Sequence, residues 1–344
     1  MRASAPSRWL NRFVWTLAAL TLFLICSGGM VTSKGAGLAV PDWPTSFGYN
    51  MFLFPVSHWV EGIFFEHTHR LIASAIGFLT IILAVWLWRA ESRKWLRTLG
   101  LAALGAVILQ GVLGGLRVTM LKDEIGIFHA CLAQAFLGLL VFIGVATSRG
   151  WAAWRGRMPA ALVWLPIATT IAIYAQLGLG ATMRHQHRDL SILDFPAAYG
   201  QVVPDTSAER LAQINQWREA RALSEVTASH IWLQMAHRGM ALLISAGVVG
   251  YWVAVRMRAS NGTSTLRTLS ALWLFFLLCQ VTLGAWTIWS NKAADIATAH
   301  VAVGATLLSL GIAISAIALR VRSHVEVSPE AFRFVPTREE AHAI

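Results

Sequence analysis

Charge is what this sequence has least of. Of its 344 residues only 13% are Asp, Glu, Lys or Arg, against 56% that are hydrophobic. A soluble domain carries roughly 25% charged residues to cover its surface, so an ordinary water-soluble globule is excluded. Acidic residues are scarcer still, 17 against 28 Lys and Arg, which leaves a formal charge of +11. Cysteine is nearly missing. Cys26, Cys131 and Cys279 each fall inside an apolar run, so the outer loops hold no disulfide framework. All three read as small apolar fillers.

What fills the chain instead is long apolar runs. A membrane span takes roughly 20 mostly apolar residues, and such stretches occur near 13–32, 64–88, 98–117, 125–147, 159–181, 230–255, 268–289 and 296–320. The expected fold is all-α and integral to the membrane, with eight transmembrane helices. The excess of positive charge follows the gaps between them. Arg2, Arg8, Arg12, Arg89, Arg93, Lys94, Arg97, Arg149, Arg155, Arg157, Arg256, Arg258, Arg267, Arg320, Arg322, Arg333 and Arg338 all fall on the side of the two tails. The positive-inside rule then puts both termini in the cytoplasm. The basicity marks topology, with no nucleic-acid partner implied. The first run follows a short basic segment, as in a signal peptide, but it is too long for one and merges into a motif that recurs later. It reads as a retained helix in the bacterial inner or plasma membrane.

That motif points to an internal repeat. Leu38, Asp42, Trp43, Pro44, Phe47 and Gly48 match Leu190, Asp194, Phe195, Pro196, Tyr199 and Gly200 at a constant shift, giving Asp-aromatic-Pro-x-x-aromatic-Gly twice. Span 2 opens with Glu66-His-Thr-His69-Arg70, and span 6 carries Gln234-Met-Ala-His237-Arg238. Span 3 has Gln110, Gly114 and Gly115; span 7 has Gln280, Gly284 and Ala285. Span 4 contains His129, and span 8 contains His300. Each half starts inside and has four spans, so the expectation is two tandem, parallel four-helix bundles. They cover 13–147 and 159–320, with an outer insertion at 182–229 and a cytoplasmic tail at 321–344. Within the insertion, Thr206 and Glu209 fit a capping box for a short helix reaching Leu223.

His69, His129, His237 and His300 lie near the starts of spans 2, 4, 6 and 8, which all run inward. The four imidazoles therefore share one depth close to the outer face. Polar side chains inside spans are costly and usually face an internal site. Two histidines on different helices can take the two faces of a flat ring, and imidazole is a common haem ligand. Zinc or copper fits less well, since each half offers two histidines and no cysteine pair. Arg70 and Arg238 follow the first histidine of each pair. They either bind an anion, such as a haem propionate, or snorkel to lipid headgroups. Gln110, Gly114, Gly115, Gln280 and Gly284 read either as close packing against a ligand or as small-residue helix packing. Glu66 lies three residues before His69 on nearly the same face, where the second half has neutral Gln234. The asymmetry points to chemistry in the first half and a resident cofactor in the second, while an ion pair with Arg70 is the plainer reading. His67, His185 and His187 also fall near the outer face.

Glu66-x-x-His69-Arg70, His237-Arg238 and the single histidines of spans 4 and 8 resemble the haem A synthases over roughly residues 10–320. The stretch Gly37-Leu-Ala-Val-Pro-Asp-Trp-Pro44 is similar to that family's first outer loop. The resemblance implies oxidation of the C8 methyl of haem O to a formyl group. It implies His69 and His129 flanking the substrate haem, Glu66 assisting the chemistry, and His237 and His300 holding a haem b cofactor. Haem O synthase and terminal oxidase assembly factors are the implied partners. The chain lacks the outer-loop cysteine pair of many bacterial members. Two rivals remain in view. A dihaem electron-transfer cytochrome needs haems at different depths, and a haem carrier has no use for the Glu66–Gln234 asymmetry.

Overall fold

The computed structural model describes residues 7–154, 158–258 and 264–322. The helices are α1 (Arg8–Ser33), α2 (Glu61–Ala90), α3 (Lys94–Met120), α4 (Asp123–Ala146), α5 (Gly150–Ala153), α6 (Ala160–His185), α7 (Ala208–Glu219), α8 (Ala228–Arg258), α9 (Ser264–Trp289) and α10 (Ala294–Arg322). Among the described residues there is no β-strand, only isolated bridges at Ser46–Tyr49 and Ala198–Gln201. All but α5 and α7 are long and apolar enough to cross a membrane. The described residues are therefore those of an all-helical integral membrane protein, with eight helices fit to span. Six helices contain the apolar run expected at their place, while 125–147 overruns α4 by Thr147 and 159–181 starts at Pro159, the residue before α6. In a bilayer core every backbone polar group must be satisfied within the segment, which is what makes such runs helical.

The helices pack in two closed rings of four. In the first, α1 touches α2, α2 touches α3, α3 touches α4, and α4 returns to α1. In the second, α6, α8, α9 and α10 close in the same way. The rings meet through α1 with α10, α4 with α10, and α4 with α6. In each ring the second and fourth helices, α2 with α4 and α8 with α10, stand on a diagonal. The short α2–α3 connection is drawn against α4 by Arg93, which pairs with Glu91 at 2.7 Å and donates to Ala146 O at 2.9 Å.

The core is not spread evenly along the helices. Its fully buried residues include Val14, Leu17, Leu83, Leu87, Leu140, Ile143, Tyr251, Val255, Ile314 and Ile317. These lie towards the ends that carry the termini, away from the four histidines. Trp273 fills the same level in the second ring and donates to Leu307 O at 3.0 Å. Tight packing at one end leaves the other to be shaped by loops and polar contacts.

A second, smaller cluster covers the end of the second ring away from the termini, called the outer end. Ile192, Ala198, Ile214, Val226 and Ile231 bury one another beneath α7, with Leu211 packed against them. The capping box expected at Thr206 is displaced by one residue. Ser207 is the N-cap and accepts from Arg210 N at 3.3 Å, while Thr206 accepts from Trp232 Nε1 at 3.2 Å. The tail beyond Arg322, and with it Arg333 and Arg338, lies outside the described residues, as do Arg2, Arg155 and Arg157.

Candidate functional site: histidine pairs beneath two matching loops

Each ring is closed on its outer side by an Asp-aromatic-Pro loop built around one carboxylate. Asp42 accepts from Phe47 N (2.7 Å), Gly48 N (2.9 Å) and Thr45 Oγ1 (2.5 Å). Asp194 accepts from Tyr199 N (2.8 Å) and Gly200 N (2.9 Å). The backbones agree closely: φ is 53° and 77° at Phe47 and Gly48, and 53° and 78° at Tyr199 and Gly200. Glycine takes the larger φ of each pair, where the lack of a Cβ removes the strain a side chain would meet. Partial burial pushes the Asp42 carboxyl up, but the N–H of Gly48, the Thr45 hydroxyl and the N–H of Phe47 outweigh it and hold it below the usual carboxylate range.

Arginines fasten these loops to the helices. Arg70 donates through Nη1 to Asp42 O (2.7 Å) and Thr45 O (3.2 Å), and through Nη2 to Val40 O (2.7 Å) and Glu66 Oε1 (2.7 Å). Arg238 donates to Ala197 O (2.8 Å), Pro196 O (3.4 Å) and Asp194 O (2.7 Å). The residue three before each histidine completes the anchor. Glu66 Oε2 accepts from Val40 N at 3.0 Å. Gln234 accepts from Ile192 N at 2.8 Å and donates to Ile192 O at 3.1 Å. Val40 and Ile192 are the same loop position under the repeat's shift. A carboxylate cannot donate, so the first half needs Arg70 to serve the carbonyl that Gln234 serves alone in the second. Glu66 and Arg70 are both buried, and the ion pair expected between them is formed.

Beneath the loops lie the histidines. His69 is on α2 and His129 on α4, so they approach across the diagonal of the first ring; His237 on α8 and His300 on α10 do so in the second. They sit roughly 9–14 Å along their helices from the outer ends, at 1.5 Å per residue. Within each pair the two imidazoles are close enough to interact electrostatically. The other diagonal supplies glycine. A Cβ at Gly28 of α1 would lie 2.9 Å from His69 Cε1, and one at Gly114 of α3 would lie 3.3 Å from His129 Cε1. In the second ring, Gly180 of α6 would meet His237 Cε1 at 3.4 Å and Gly284 of α9 would meet His300 Cε1 at 3.1 Å. The glycines of spans 3 and 7 thus pack against histidine rings, and Gly115 packs against the Trp43 indole.

All four Nδ1 atoms are buried without a hydrogen-bond partner, while each histidine as a whole is only half-buried. Buried polar atoms are normally paired, so four buried Nδ1 atoms without a partner stand out as a set of donor atoms open to a ligand. Glutamines steady the surrounding backbone. Gln110 donates to His129 O (3.0 Å) and Gln176 to His237 O (2.9 Å), whereas Gln280 Nε2 lies 3.3 Å from His300 Nε2. Substituting Gly28→Leu should push the His69 ring aside and cost about 1–3 kcal/mol of overpacking. Gly77→Leu, on the same bundle with open space around it, should be tolerated. Thermal melts of the two variants in detergent check this, and equal melting temperatures would refute the packing role.

The remaining histidines separate. His67 is fully buried, 3.2 Å from Ser46 Oγ and packed between Phe54 and Trp59. His230 lies 3.1 Å from Arg188. His185 packs on Gly126 of α4, and it shares a small outer cavity with His187. Sequence reasoning passed over two cations beside the paired histidines, Arg117 at the outer end of α3 and Arg184 at the outer end of α6. The signal was available: a charge inside an apolar span is expensive and seldom idle.

Comparison with known proteins identifies the family. Residues 11–312 match the model of the cytochrome oxidase assembly protein family. A protein of Rhodopseudomonas palustris named heme A synthase is 28% identical over 349 residues, covering 90% of this chain and 89% of its own. One of Shouchella clausii with the same name is 28% identical over 279 residues, covering 76% and 91%. A third, of Methylobacterium radiotolerans, is 26% identical and covers 90% and 89%. With the family match running through all eight spans, from the first turn of α1 to the middle of α10, the chain belongs to the cytochrome oxidase assembly protein family.

Proposed function

We propose that this protein is a haem A synthase, an oxidoreductase that converts the C8 methyl of haem O to a formyl group in the first ring of helices. The observation that carries the reading is the histidine pair on the diagonal of each ring, every Nδ1 buried without a partner, with glycines of the other two helices against the imidazoles. His69 and His129 would hold the substrate haem, and His237 and His300 would hold haem b. When bound, that haem would supply one-electron chemistry. The protein's own part is to supply the four imidazoles, to cover the first pair with the Asp42 loop, and to keep Glu66 beside His69 on α2. Glu66 is the group proposed to assist the reaction, through a carboxylate that the second ring replaces with an amide.

We further propose that the two rings are tandem copies in parallel orientation, covering 13–147 and 159–320, with the 182–229 segment outside. The matched loops, anchors and glycines support this. Both termini are placed in the cytoplasm by the charge distribution. Alkaline phosphatase fused after residue 190 should be active and a fusion after residue 322 inactive; the reverse pattern would overturn the orientation. Haem O synthase, which makes the substrate, and terminal oxidase assembly factors are the natural partners.

The common depth of the four histidines disfavours an electron-transfer wire, and the Glu66–Gln234 difference disfavours a simple carrier. Purified protein incubated with haem O, a reductant and oxygen should yield a formyl-bearing haem on extraction and mass analysis. Recovery of unaltered haem O from protein that binds it would establish the carrier instead.

A further inference from the structure

We propose that Arg117 is the carboxylate receptor of the first ring, reading the acidic edge of the molecule held between His69 and His129. This rests on the reading of that site given above. Sequence pattern directs the task to Arg70 and Arg238, but both spend their Nη groups on loop carbonyls. Arg117 spends none. Among the described residues its guanidinium has no hydrogen-bond or ion-pair partner, only the longer-range influence of Glu66 and Asp123. The Glu66 oxygens are already taken by Arg70 and Val40.

Its position suits the task. Arg117 follows Gly114 by three residues, so it lies on the same face of α3 one turn nearer the outer surface. Gly114 backs His129, which puts the guanidinium at the outer rim of the histidine pair, within electrostatic reach of both imidazoles. It also lines an outer cavity of about 160 Å³ shared with Arg184, Lys122, His185 and Asp123. The surroundings are short of anions. Arg184 is close enough to repel Arg117, Asp123 is the single acidic residue of the cavity wall, and Asp189 is paired with Lys292 at 2.5 Å. A half-buried guanidinium in such a field is stabilised by a carboxylate from outside the chain, which it can grip through two parallel N–H bonds. Gly37 of the outer loop keeps the place clear, since a Cβ there would sit 2.7 Å from Arg117 Nη2.

The plainer role, a cation at a helix C-terminus, does not explain the difference between the rings. Three residues after Gly284 the second ring has Thr287, whose hydroxyl donates to Leu283 O at 2.8 Å. The receptor therefore belongs to the substrate side alone, and selects a free-acid ring over an esterified one.

The test is a Soret titration of the purified full chain with ferric protohaem and with its dimethyl ester. In the native protein one of the two sites should prefer the diacid by about tenfold or more, the effect of a charge-assisted hydrogen-bond pair. Arg117→Gln should erase that preference and Arg117→Lys should restore part of it. A preference that survives in Arg117→Gln but disappears in Arg70→Gln overturns the proposal in favour of the loop arginine. Equal weakening of diacid and diester also overturns it, because Arg117 would then be shaping the protein and not reading the carboxylate. If His69→Ala alters neither Soret component, the bis-histidine reading itself has failed, whatever Arg117 does.

Discussion

Replacing His129 by alanine will abolish haem O conversion and remove one of two bis-histidine chromophores, leaving the other unchanged. The imidazole stands on α4 with Gly114 behind it and its backbone carbonyl held by Gln110, so the helix has no reason to move when the ring is deleted. On the proposed reading, what goes is one of the two imidazoles that hold the substrate haem. Loss of a residue that merely orients a metal ligand costs about 10–100-fold, so loss of the ligand should cost at least about a hundredfold in conversion. His300→Ala is the mirror experiment: it should remove the other chromophore and leave substrate binding in the first ring. Reduced-minus-oxidised spectra of both variants, alongside conversion assays, decide the matter. Wild-type conversion by His129→Ala would place the reaction elsewhere.

Glu66 should yield a different pattern. Glu66→Gln installs the residue that the second ring uses at Gln234, and an amide there can still accept from Val40 N and serve Val40 O. The loop should stay in place and haem should stay bound, yet conversion should fall by about 10²–10⁴-fold, the usual worth of a positioned acid or base. Glu66→Ala should also keep bound haem and lose conversion. If Glu66 serves only as the buried partner of Arg70, the outcome differs. Breaking a buried pair costs about 3–5 kcal/mol of stability, so the alanine variant would melt earlier while its folded fraction converted haem O normally. Conversion per bound haem, measured beside the melting temperature, separates the two roles.

Much of this site could be read from residues in a row. Apolar runs place the eight helices because a bilayer leaves a backbone no alternative to internal hydrogen bonding. The histidines stand out because polar groups at that depth are costly. The pairing of Asp42 with Asp194 was visible as a motif, but its purpose was not. Nothing in the residue types says that Val40 and Ile192 are the backbone positions gripped from α2 and α8, or that Arg70 is occupied with carbonyls. Arg117 was passed over because a lone arginine near a span's end looks like an interfacial anchor; only the loop folded back over it through Gly37 sets it apart.

The order of residues alone marked eight stretches apolar enough to cross a membrane and set four histidines near the same ends of four of them, since these depend on local hydrophobicity and helical rise. Tertiary structure decided that the paired histidines stand on helices across a diagonal, that glycines of the other two helices lie against their rings, and that one arginine remains unspent while its neighbours are bound. Those facts depend on which helix lies beside which. No property of a single segment encodes that choice; it emerges when all the helices compete for the same core.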